Sequence, residues 1–408
     1  MADIVAGSER SETQSELRSL TVISVAHWLS HYYILVLPML YPFLKDRLGV
    51  GFIELGLSMT VFGVVSGLTQ APLGYVVDRF GARKLLILGV CLGSIAFIIL
   101  GFSLNYATLI GCAALLGLAN SVYHPSDYAL LAANIDGRRI GRAFSIHTFA
   151  GFFGGAVAPA LVAALVALTS GTGALIATGV IGFAVALLLV LFPIPEASAA
   201  TAANTNASAD PNAPTSVLTP AIISLTIFFM LLGLSNSGIS TFGVVSLMSG
   251  YGLVFSTANI ALTAYLGASA VGVLAGGFLA DRTHRHGDVA AACFAANVVL
   301  VILIAMFTPH PALMIAMMTL AGFLGGVIAP SRDMMVRKAA PPGAAGRAFG
   351  IVSTGFNMSG IVSPILFGWV MDQSMPRGVF WLAAFFMALT VLLAFVTERR
   401  KPSPAEAT

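Results

Sequence analysis

Charged residues are scarce in this sequence. Only 9% of the 408 residues are Asp, Glu, Lys or Arg, whereas 58% are hydrophobic. A soluble protein of this composition could not cover its surface with polar groups. The composition therefore excludes an ordinary soluble domain and predicts an all-α polytopic membrane protein.

Other absences limit the range of possible functions. The three cysteines, Cys91, Cys112 and Cys293, lie in apolar segments without metal-type spacing, which indicates reduced packing residues. No basic stripe alternates with aromatic residues, and no Gly-x-x-x-x-Gly-Lys-Ser/Thr segment occurs. The first 18 or so residues lack the pattern of a cleaved signal. We therefore expect no cofactor, no metal site and no nucleic-acid partner.

Long apolar runs fill most of the chain. Windows of about 20 apolar residues predict twelve transmembrane helices, near 20–44, 54–77, 85–104, 107–133, 142–168, 172–194, 219–248, 256–280, 288–308, 311–336, 346–371 and 377–397. The segment between the sixth and seventh is rich in Ala, Asn, Ser, Thr and Pro, which is typical of a flexible linker. The predicted organisation is a tail over 1–19, a six-helix half over 20–194, a linker over 195–218, a second half over 219–397 and a tail over 398–408.

The basic residues indicate the orientation. Sixteen Lys or Arg residues fall on one side of the predicted helices and three on the other. Under the positive-inside rule, this asymmetry places both termini and the linker in the cytoplasm. The sequence thus predicts a multi-pass protein of the cell (inner) membrane.

The two halves repeat each other. Gly141-Arg142-Ala143-Phe144 reappears as Gly346-Arg347-Ala348-Phe349, and Pro125-Ser126-Asp127 reappears as Pro330-Ser331-Arg332, both 205 positions later. Repeated halves joined by a linker predict a site between them and rocking of one half against the other. One copy of the second motif carries an acid where the other carries a base.

The segment after the second predicted helix carries a specific motif. It reads Gly74-Tyr75-Val76-Val77-Asp78-Arg79-Phe80-Gly81-Ala82-Arg83-Lys84, and Gly277 to Arg282 is a degenerate copy. This loop resembles the loop 2–3 signature of the major facilitator superfamily, although Ala82 stands where that family usually has a base. The resemblance implies a cytoplasmic gate formed by Gly74, Asp78, Arg79, Gly81, Arg83, Arg142, Asp281 and Arg282. The alternative interpretation is a solvated turn that follows charge topology.

A narrower resemblance covers most of the first half. The segments Val25 to His31, Leu40 to Leu44 and Gly117 to Asp127 are similar to the fosmidomycin-resistance branch of that superfamily. In the branch an acid follows His-Pro directly, whereas here Ser126 takes that position and Asp127 follows. A step of one residue turns a helical side chain by roughly 100°. Gly151, Gly155 and Pro159 in the fifth helix loosely resemble a motif of exporters in the superfamily.

Polar residues inside the apolar segments are the candidate transport site, because the resemblance implies that the first, fourth, seventh and tenth helices line a central cavity. An Asp at helix-centre depth costs up to roughly 2.5–3.5 kcal/mol on insertion scales, so such residues are rarely accidental. The predicted substrate and proton residues are His27, His31, Tyr32, His124, Asp127, His147, Asn236 and Arg332.

Each of these residues has a simpler interpretation. His27 could only bridge helices, and His124 could satisfy the carbonyls freed by Pro125. Asp127 could belong to the gate, paired with Arg83 or Arg142, because it lies about two turns from its helix end. Arg332 could extend to the interface beside Arg337.

The polar set could serve either of two chemistries. His27 and His31 are four residues apart, as in some metal sites, but no sequence rule supplies a third ligand from His124, His147 or Asp127. Proton exchange is favoured because histidine titrates in the physiological range. The hypothesis is that Asp127, with His124 or His31, exchanges a proton against substrate while Arg332 holds a negatively charged or polar group.

The leading functional prediction is a secondary transporter that works by alternating access as a monomer. Within that class we expect a proton antiporter that exports a small organic anionic or amphipathic compound, as in drug efflux. Proton-coupled uptake of a small organic anion such as a carboxylate stays open as the alternative. A membrane enzyme would need a nucleophile–base pair with suitable spacing, and the sequence has none. The repeated gate motif favours a protein whose halves rock over a static channel or receptor.

Overall fold

The computed structural model describes the backbone of residues 2–136, 139–196, 218–282, 286–340 and 345–399. Over these ranges the chain is almost entirely α-helical, and they contain no strand. Nearly all of the predicted linker and C-terminal tail lies outside the described residues, as do the side chains of Asp281 and Arg282.

The helices follow one another with short connections. In chain order they are α1 (Ala2–Met39), α2 (Tyr41–Leu48), α3 (Phe52–Phe80), α4 (Ala82–Phe102), α5 (Tyr106–Asn134), α6 (Ile140–Leu168), α7 (Gly171–Leu191), α8 (Pro220–Tyr251), α9 (Phe255–Arg282), α10 (His286–Met306), α11 (Pro311–Ala339), α12 (Ala345–Asp372) and α13 (Gly378–Arg399).

Twelve of these helices account for the predicted membrane spans. Within the described ranges, ten are long and apolar enough to cross a bilayer, and α10 and α13 contain shorter apolar stretches, Ala291–Met306 and Gly378–Ala394. The remaining helix, α2, has only 8 residues. The predicted all-α, twelve-span architecture is confirmed.

The chain forms two compact units. The first comprises Met1–Leu37 and Val61–Ser208. Within it, α4 packs along both α5 and α7. Gly117 of α5 lies so close to α3 that an added Cβ would be 3.1 Å from the Cα of Phe62. Small residues let membrane helices approach closely, because little hydrophobic force drives their association within lipid.

The second unit comprises Pro38–Thr60 and Ala209–Thr408. Within it, α8 packs on α12 and α13, and α9 packs on α11. Gly322 of α11 approaches α9 closely enough that an added Cβ would be 2.9 Å from the Cα of Tyr265. This contact corresponds to that of Gly117 with Phe62, so the repeated sequence supports repeated packing.

The first predicted span is interrupted in the structure. The sequence favours one helix over 20–44, but α1 ends at Met39 and α2 begins at Tyr41. Pro42 explains the break, because it has no N–H to donate to the carbonyl of Pro38 and its ring would crowd that carbonyl. Residues 38–60 then pack within the second unit. For example, Thr60 Oγ1 donates to the carbonyl of Ile361 at 2.8 Å.

The predicted loop from Gly74 to Lys84 is largely helical, which corrects the sequence-based interpretation. Helix α3 continues through Phe80 and α4 begins at Ala82, so Gly81 alone separates them. Gly81 has φ +100°, a conformation that L-residues with a side chain rarely adopt. A glycine is therefore needed at this turn.

Candidate functional site

Five of the six predicted polar residues of the first half come together from three helices. Helix α1 carries His27 and His31, α5 carries His124 and Asp127, and α6 carries His147. Residues three or four apart on one helix share a face, so α1 and α5 each present two of these groups together. Pro125 lies inside α5 without ending the helix, which continues to Asn134.

One oxygen of Asp127 lies close to two imidazoles. Its Oδ2 is 3.3 Å from Nδ1 of His27 and 3.6 Å from Nε2 of His147. The rings of His27 and His147 stack with centroids 3.9 Å apart and an interplanar angle of 24°. The carboxylate and the two rings form a compact group, called here the Asp127 cluster.

The Asp127 cluster is almost completely buried. Asp127 is 0% exposed, His147 1% and His27 4%. Neither carboxylate oxygen, neither nitrogen of His147 and not Nδ1 of His27 has a hydrogen-bond partner among the described residues. A buried polar atom without a partner is costly and rare. These groups therefore need a proton, a water molecule or a solute to satisfy their hydrogen-bonding capacity.

Two further histidines lie at the edge of the cluster. The ring centroids of His31 and His124 are 4.8 Å and 5.3 Å from that of His27. Both side chains are partly exposed, unlike the three cluster members. His124 also stacks on Tyr128, at 5.7 Å between centroids. Two partly exposed imidazoles thus lie next to the buried cluster.

Sequence reasoning missed one buried hydroxyl on α5 and did not interpret another. Tyr123 and Ser126 both precede Asp127 on α5, and neither hydroxyl has a hydrogen-bond partner among the described residues. The spacing of Tyr123 four residues before Asp127 was the available signal, because residues at i and i+4 lie on one helix face.

The cluster has the composition of a metal site but not its orientation. One ligand atom each from His27, Asp127 and His147 lies within 4.8 Å of the others. However, a metal lies near the plane of each imidazole that binds it, and the planes of His27 and His147 are stacked and nearly parallel. Tetrahedral coordination needs lone pairs that converge on one point. The sequence suggested His27 and His31 as the first two ligands, whereas His31 is not a member of this trio.

The alternative gate pairing of Asp127 with Arg83 does not occur in this structure. Arg83 instead donates through Nε and Nη2 to the carbonyl of Leu189, at 3.2 Å and 2.9 Å, and through Nη2 to that of Val190 at 3.1 Å. These are among the last carbonyls of α7, which lack helical partners. Arg83 therefore holds the start of α4 against the end of α7.

The other motif residues lie at helix ends. Gly74 is half-buried in α3, and Asp78 and Arg79 are exposed on its last turn. Arg142 is exposed in the first turn of α6. Their exposure agrees with either a gate or a solvated surface, so the gate remains a prediction.

Tyr32 does not join the histidines. Its side chain is fully buried, and its hydroxyl shares a hydrogen bond of 2.9 Å with Thr178 of α7. Its ring stacks on Trp28 with centroids 5.6 Å apart. Tyr32 therefore anchors α1 to α7.

Asn236 and Arg332 belong to the second unit. Asn236 Oδ1 accepts a hydrogen bond of 3.3 Å from Tyr265. The Arg332 guanidinium forms two 2.8 Å contacts with Asp333 Oδ1, through Nε and Nη2. It also lies over the rings of Phe229 and Phe356, at 4.7 Å and 5.2 Å from their centroids.

A second polar group in this unit was not anticipated. Asp372 accepts the backbone N–H groups of Phe52 at 2.7 Å and Ile53 at 2.8 Å, the first two residues of α3. Lys45 Nζ lies 3.9 Å from the same carboxylate. A carboxylate at a helix N-terminus satisfies free N–H groups and interacts favourably with the dipole. More than 300 residues separate the partners, so no local pattern could reveal this contact.

Twelve apolar helices in two related halves, with ionisable groups buried among them, define a polytopic protein of the secondary-transporter class. The family model of the Major Facilitator Superfamily matches residues 23–257 and 225–408. The chain belongs to this superfamily.

Individual relatives agree with this assignment. The fosmidomycin resistance protein of Escherichia coli (strain K12) is 25% identical over 413 residues, covering 97% of each chain. The crystal structure of a bacterial homologue of the human lysosomal transporter Spinster matches with a TM-score of 0.78 at 13% identity, over 94% of this chain and 97% of that one. The crystal structure of a mutant of the nucleoside transporter NupG matches with a TM-score of 0.75 at 17% identity, over 94% and 99%. At these identities the structural matches show the fold alone.

Proposed function

We propose that this transporter exports a small organic anionic or amphipathic compound in exchange for protons, and that Asp127 takes up the proton. The observation that carries the proposal is the Asp127 cluster. Among the described residues, the ion-pair partners of Asp127 are two imidazoles and no Lys or Arg.

A proton is the ion that suits this group. An ionised carboxylate in an apolar interior is costly unless a cation accompanies it. His27 and His147 are the ion-pair neighbours of Asp127, at 3.3 Å and 3.6 Å, and histidine is the side chain adapted to proton exchange near neutral pH. His31 and His124 are partly exposed and lie next to His27, so we assign to them the passage of the proton between the buried acid and solvent.

Arg332 supports an anionic substrate. Its guanidinium is about one-sixth exposed and is oriented by Asp333 on one side and two phenylalanine rings on the other. Asp333 uses the edge formed by Nε and Nη2, so the guanidinium would bind a carboxylate or phosphonate group through the N–H groups of its other edge.

Export is supported by the relative named for fosmidomycin resistance, which matches nearly the whole chain. Proton-coupled uptake of an organic anion such as a carboxylate is the second candidate, because Arg332 would serve an anion moving in either direction. We further propose that the protein works as a monomer in the cell (inner) membrane with both termini in the cytoplasm, as the distribution of basic residues indicates.

The first test measures proton release. Purified protein in unbuffered detergent is mixed in turn with fosmidomycin, phenylphosphonate, benzoate and ethidium. We expect an anion to release protons from the wild-type protein and from Asp46→Asn, which alters an exposed carboxylate of α2. Asp127→Asn should bind the same anion without release. Unchanged release from Asp127→Asn would contradict the proposal, as would an anion that binds without releasing protons.

The second test measures coupling after reconstitution. Asp127→Asn should lose uphill transport driven by a pH gradient but keep exchange of labelled for unlabelled substrate, because only the proton carrier is removed. Uphill transport by Asp127→Asn that matches the wild type would exclude Asp127 as the carrier. The direction of proton flow relative to substrate then distinguishes antiport from symport.

A further inference from the structure

Gly151 of α6 lies against two imidazoles of the site. A Cβ built at this position would be 2.7 Å from Nε2 and 2.8 Å from Cδ2 of His27, and 2.9 Å from Cδ2 of His31. All three distances are shorter than the 3.4 Å at which ordinary contact begins. A side chain at position 151 would therefore displace both rings.

The two neighbouring glycines of α6 have different surroundings. A Cβ at Gly154 would be 2.9 Å from the carbonyl carbon of Trp28, so this glycine lets the backbones of α1 and α6 approach. At Gly155 the nearest atom would be Cδ1 of Leu35 at 3.7 Å, an ordinary contact. Gly151, Gly154 and Gly155 thus differ in role, and Gly151 is the one of the three that faces the histidines.

His27 has little room to move. Its ring is stacked on His147 at 3.9 Å and makes edge contacts with His31 at 4.8 Å and His124 at 5.3 Å. Interiors packed at this density transmit a displacement to neighbouring groups. Because Nδ1 of His27 lies 3.3 Å from Asp127, a shift of the ring changes its distance from the carboxylate.

The equivalent position of the second unit also lies beside ionisable or charged side chains. The residue 205 positions after Gly151 is Phe356, and its ring lies 5.2 Å from the guanidinium of Arg332, the counterpart of Asp127. The second unit therefore places an aromatic ring where the first leaves space for imidazoles.

We infer that Gly151 is a positioning residue for proton exchange, because the absence of a side chain there leaves room for His27 beside Asp127 and for His31 beside His27. The inference rests on the proposed function only for its consequence in transport. The effect of Gly151 on the positions of the His27 and His31 rings can be tested without a substrate.

The test compares Gly151→Ala with Gly155→Ala in the full-length purified protein labelled with nitrogen-15 histidine. The chain has seven histidines, so single substitutions can assign each imidazole signal. Gly151→Ala should shift the signals of His27 and His31 more than those of the other five, and Gly155→Ala should shift none. Equal shifts in the two variants, or unchanged His27 and His31 signals in Gly151→Ala, would overturn the inference.

Thermal unfolding between about pH 5 and 8, where unperturbed histidine titrates, gives a second readout. A glycine needed only for packing would lower the Tm by the same amount at every pH when replaced. A positioning glycine should change the shape of the Tm profile with pH, because the environment of buried titratable groups is altered. Gly151→Ser, which adds the same Cβ, should reproduce this change. A uniform decrease in both variants would contradict positioning.

The two proposals can fail separately. If Gly151→Ala moves the His27 signal while Asp127→Asn still drives uphill transport, the seating is right and proton exchange at Asp127 is wrong. If Asp127→Asn is uncoupled but the His27 signal is insensitive to Gly151→Ala, the reverse holds. When both hold, coupled transport by Gly151→Ala should decrease by about ten-fold or more, because misplacement of reacting groups by about 1 Å is strongly unfavourable.

Discussion

Positions 127 and 332 are equivalent in the two repeats, yet their surroundings are opposite. Asp127 is fully buried beside two imidazoles, and its oxygens have no hydrogen-bond partner among the described residues. Arg332 is partly exposed, paired with the adjacent Asp333 and covered by two aromatic rings. One helix position thus carries an incompletely satisfied acid in the first unit and a satisfied base in the second.

The difference suggests a division of labour within a duplicated scaffold. Ser126 and Ser331, which precede the two charged residues, are both fully buried, and their hydroxyls have no partner in the described part of the chain. The buried serine is therefore common to the two units, whereas the neighbours of the charged residue differ: imidazoles in the first unit, and Asp333 with two phenylalanine rings in the second. Histidines suit transfer of a proton, whereas a fixed guanidinium suits retention of an anion.

Among the variants of these two groups, the largest effect is expected from Arg332→Ala. Loss of a hydrogen bond to a charged group costs about 1.5–3 kcal/mol, which corresponds to roughly 10- to 100-fold in affinity. Binding of the anion that releases protons from the wild type should weaken by this factor in calorimetry. Arg337→Ala, which removes an exposed base of the same helix, is the matched control. Equal affinities for both variants would remove Arg332 from the site.

An intermediate effect is expected from Asp372→Asn. Asp372 resembles Asp127 in being a carboxylate within an apolar protein, but it accepts two backbone N–H groups. An amide has one oxygen instead of two, so the cap of α3 should weaken and unfolding should become easier by about 0.5–2 kcal/mol. Thermal unfolding of the purified protein measures this loss.

The pH dependence of transport should be unchanged in Asp372→Asn, because this acid already has its partners. A change in the pH profile as large as that in Asp127→Asn would break the distinction between a coupling acid and a structural one.

The smallest effects are expected from Ser126→Ala and Ser331→Ala. Removal of a buried hydroxyl without a partner should raise the free energy of unfolding by roughly 0.5 kcal/mol, because an unpaired buried hydroxyl is costly. Denaturation of each variant against the wild type measures the change. A loss of stability in one variant alone would reveal a bound water or solute at that serine, and with it a further asymmetry between the units.

The general fold could be predicted from the sequence because its physical signals are long or repeated. Twelve apolar segments predict twelve spans, and the 205-residue repeat predicts two related halves. Local backbone detail was harder to predict. The break at Leu40 depends on the crowding of the Pro38 carbonyl by Pro42, and the turn at Gly81 depends on a positive φ that the motif alone does not specify.

The candidate site was predictable in part. A charged residue in an apolar segment is conspicuous, so Asp127 and the histidines around it could be selected by residue type alone. Their mutual arrangement could not, because it depends on how α1, α5 and α6 meet. Tyr32 was grouped with them by sequence proximity, yet the rotation of α1 directs its hydroxyl to Thr178.

The division of the chain into units has a practical consequence for fragments of this protein. The chain passes from one unit to the other three times, after Leu37, after Thr60 and after Ser208. A cut in the linker therefore does not separate two complete units, because the N-terminal fragment keeps residues 38–60 while their packing partners in α8 and α12 are on the other fragment. Co-expressed fragments should purify together, and each fragment made alone should expose an unfilled surface.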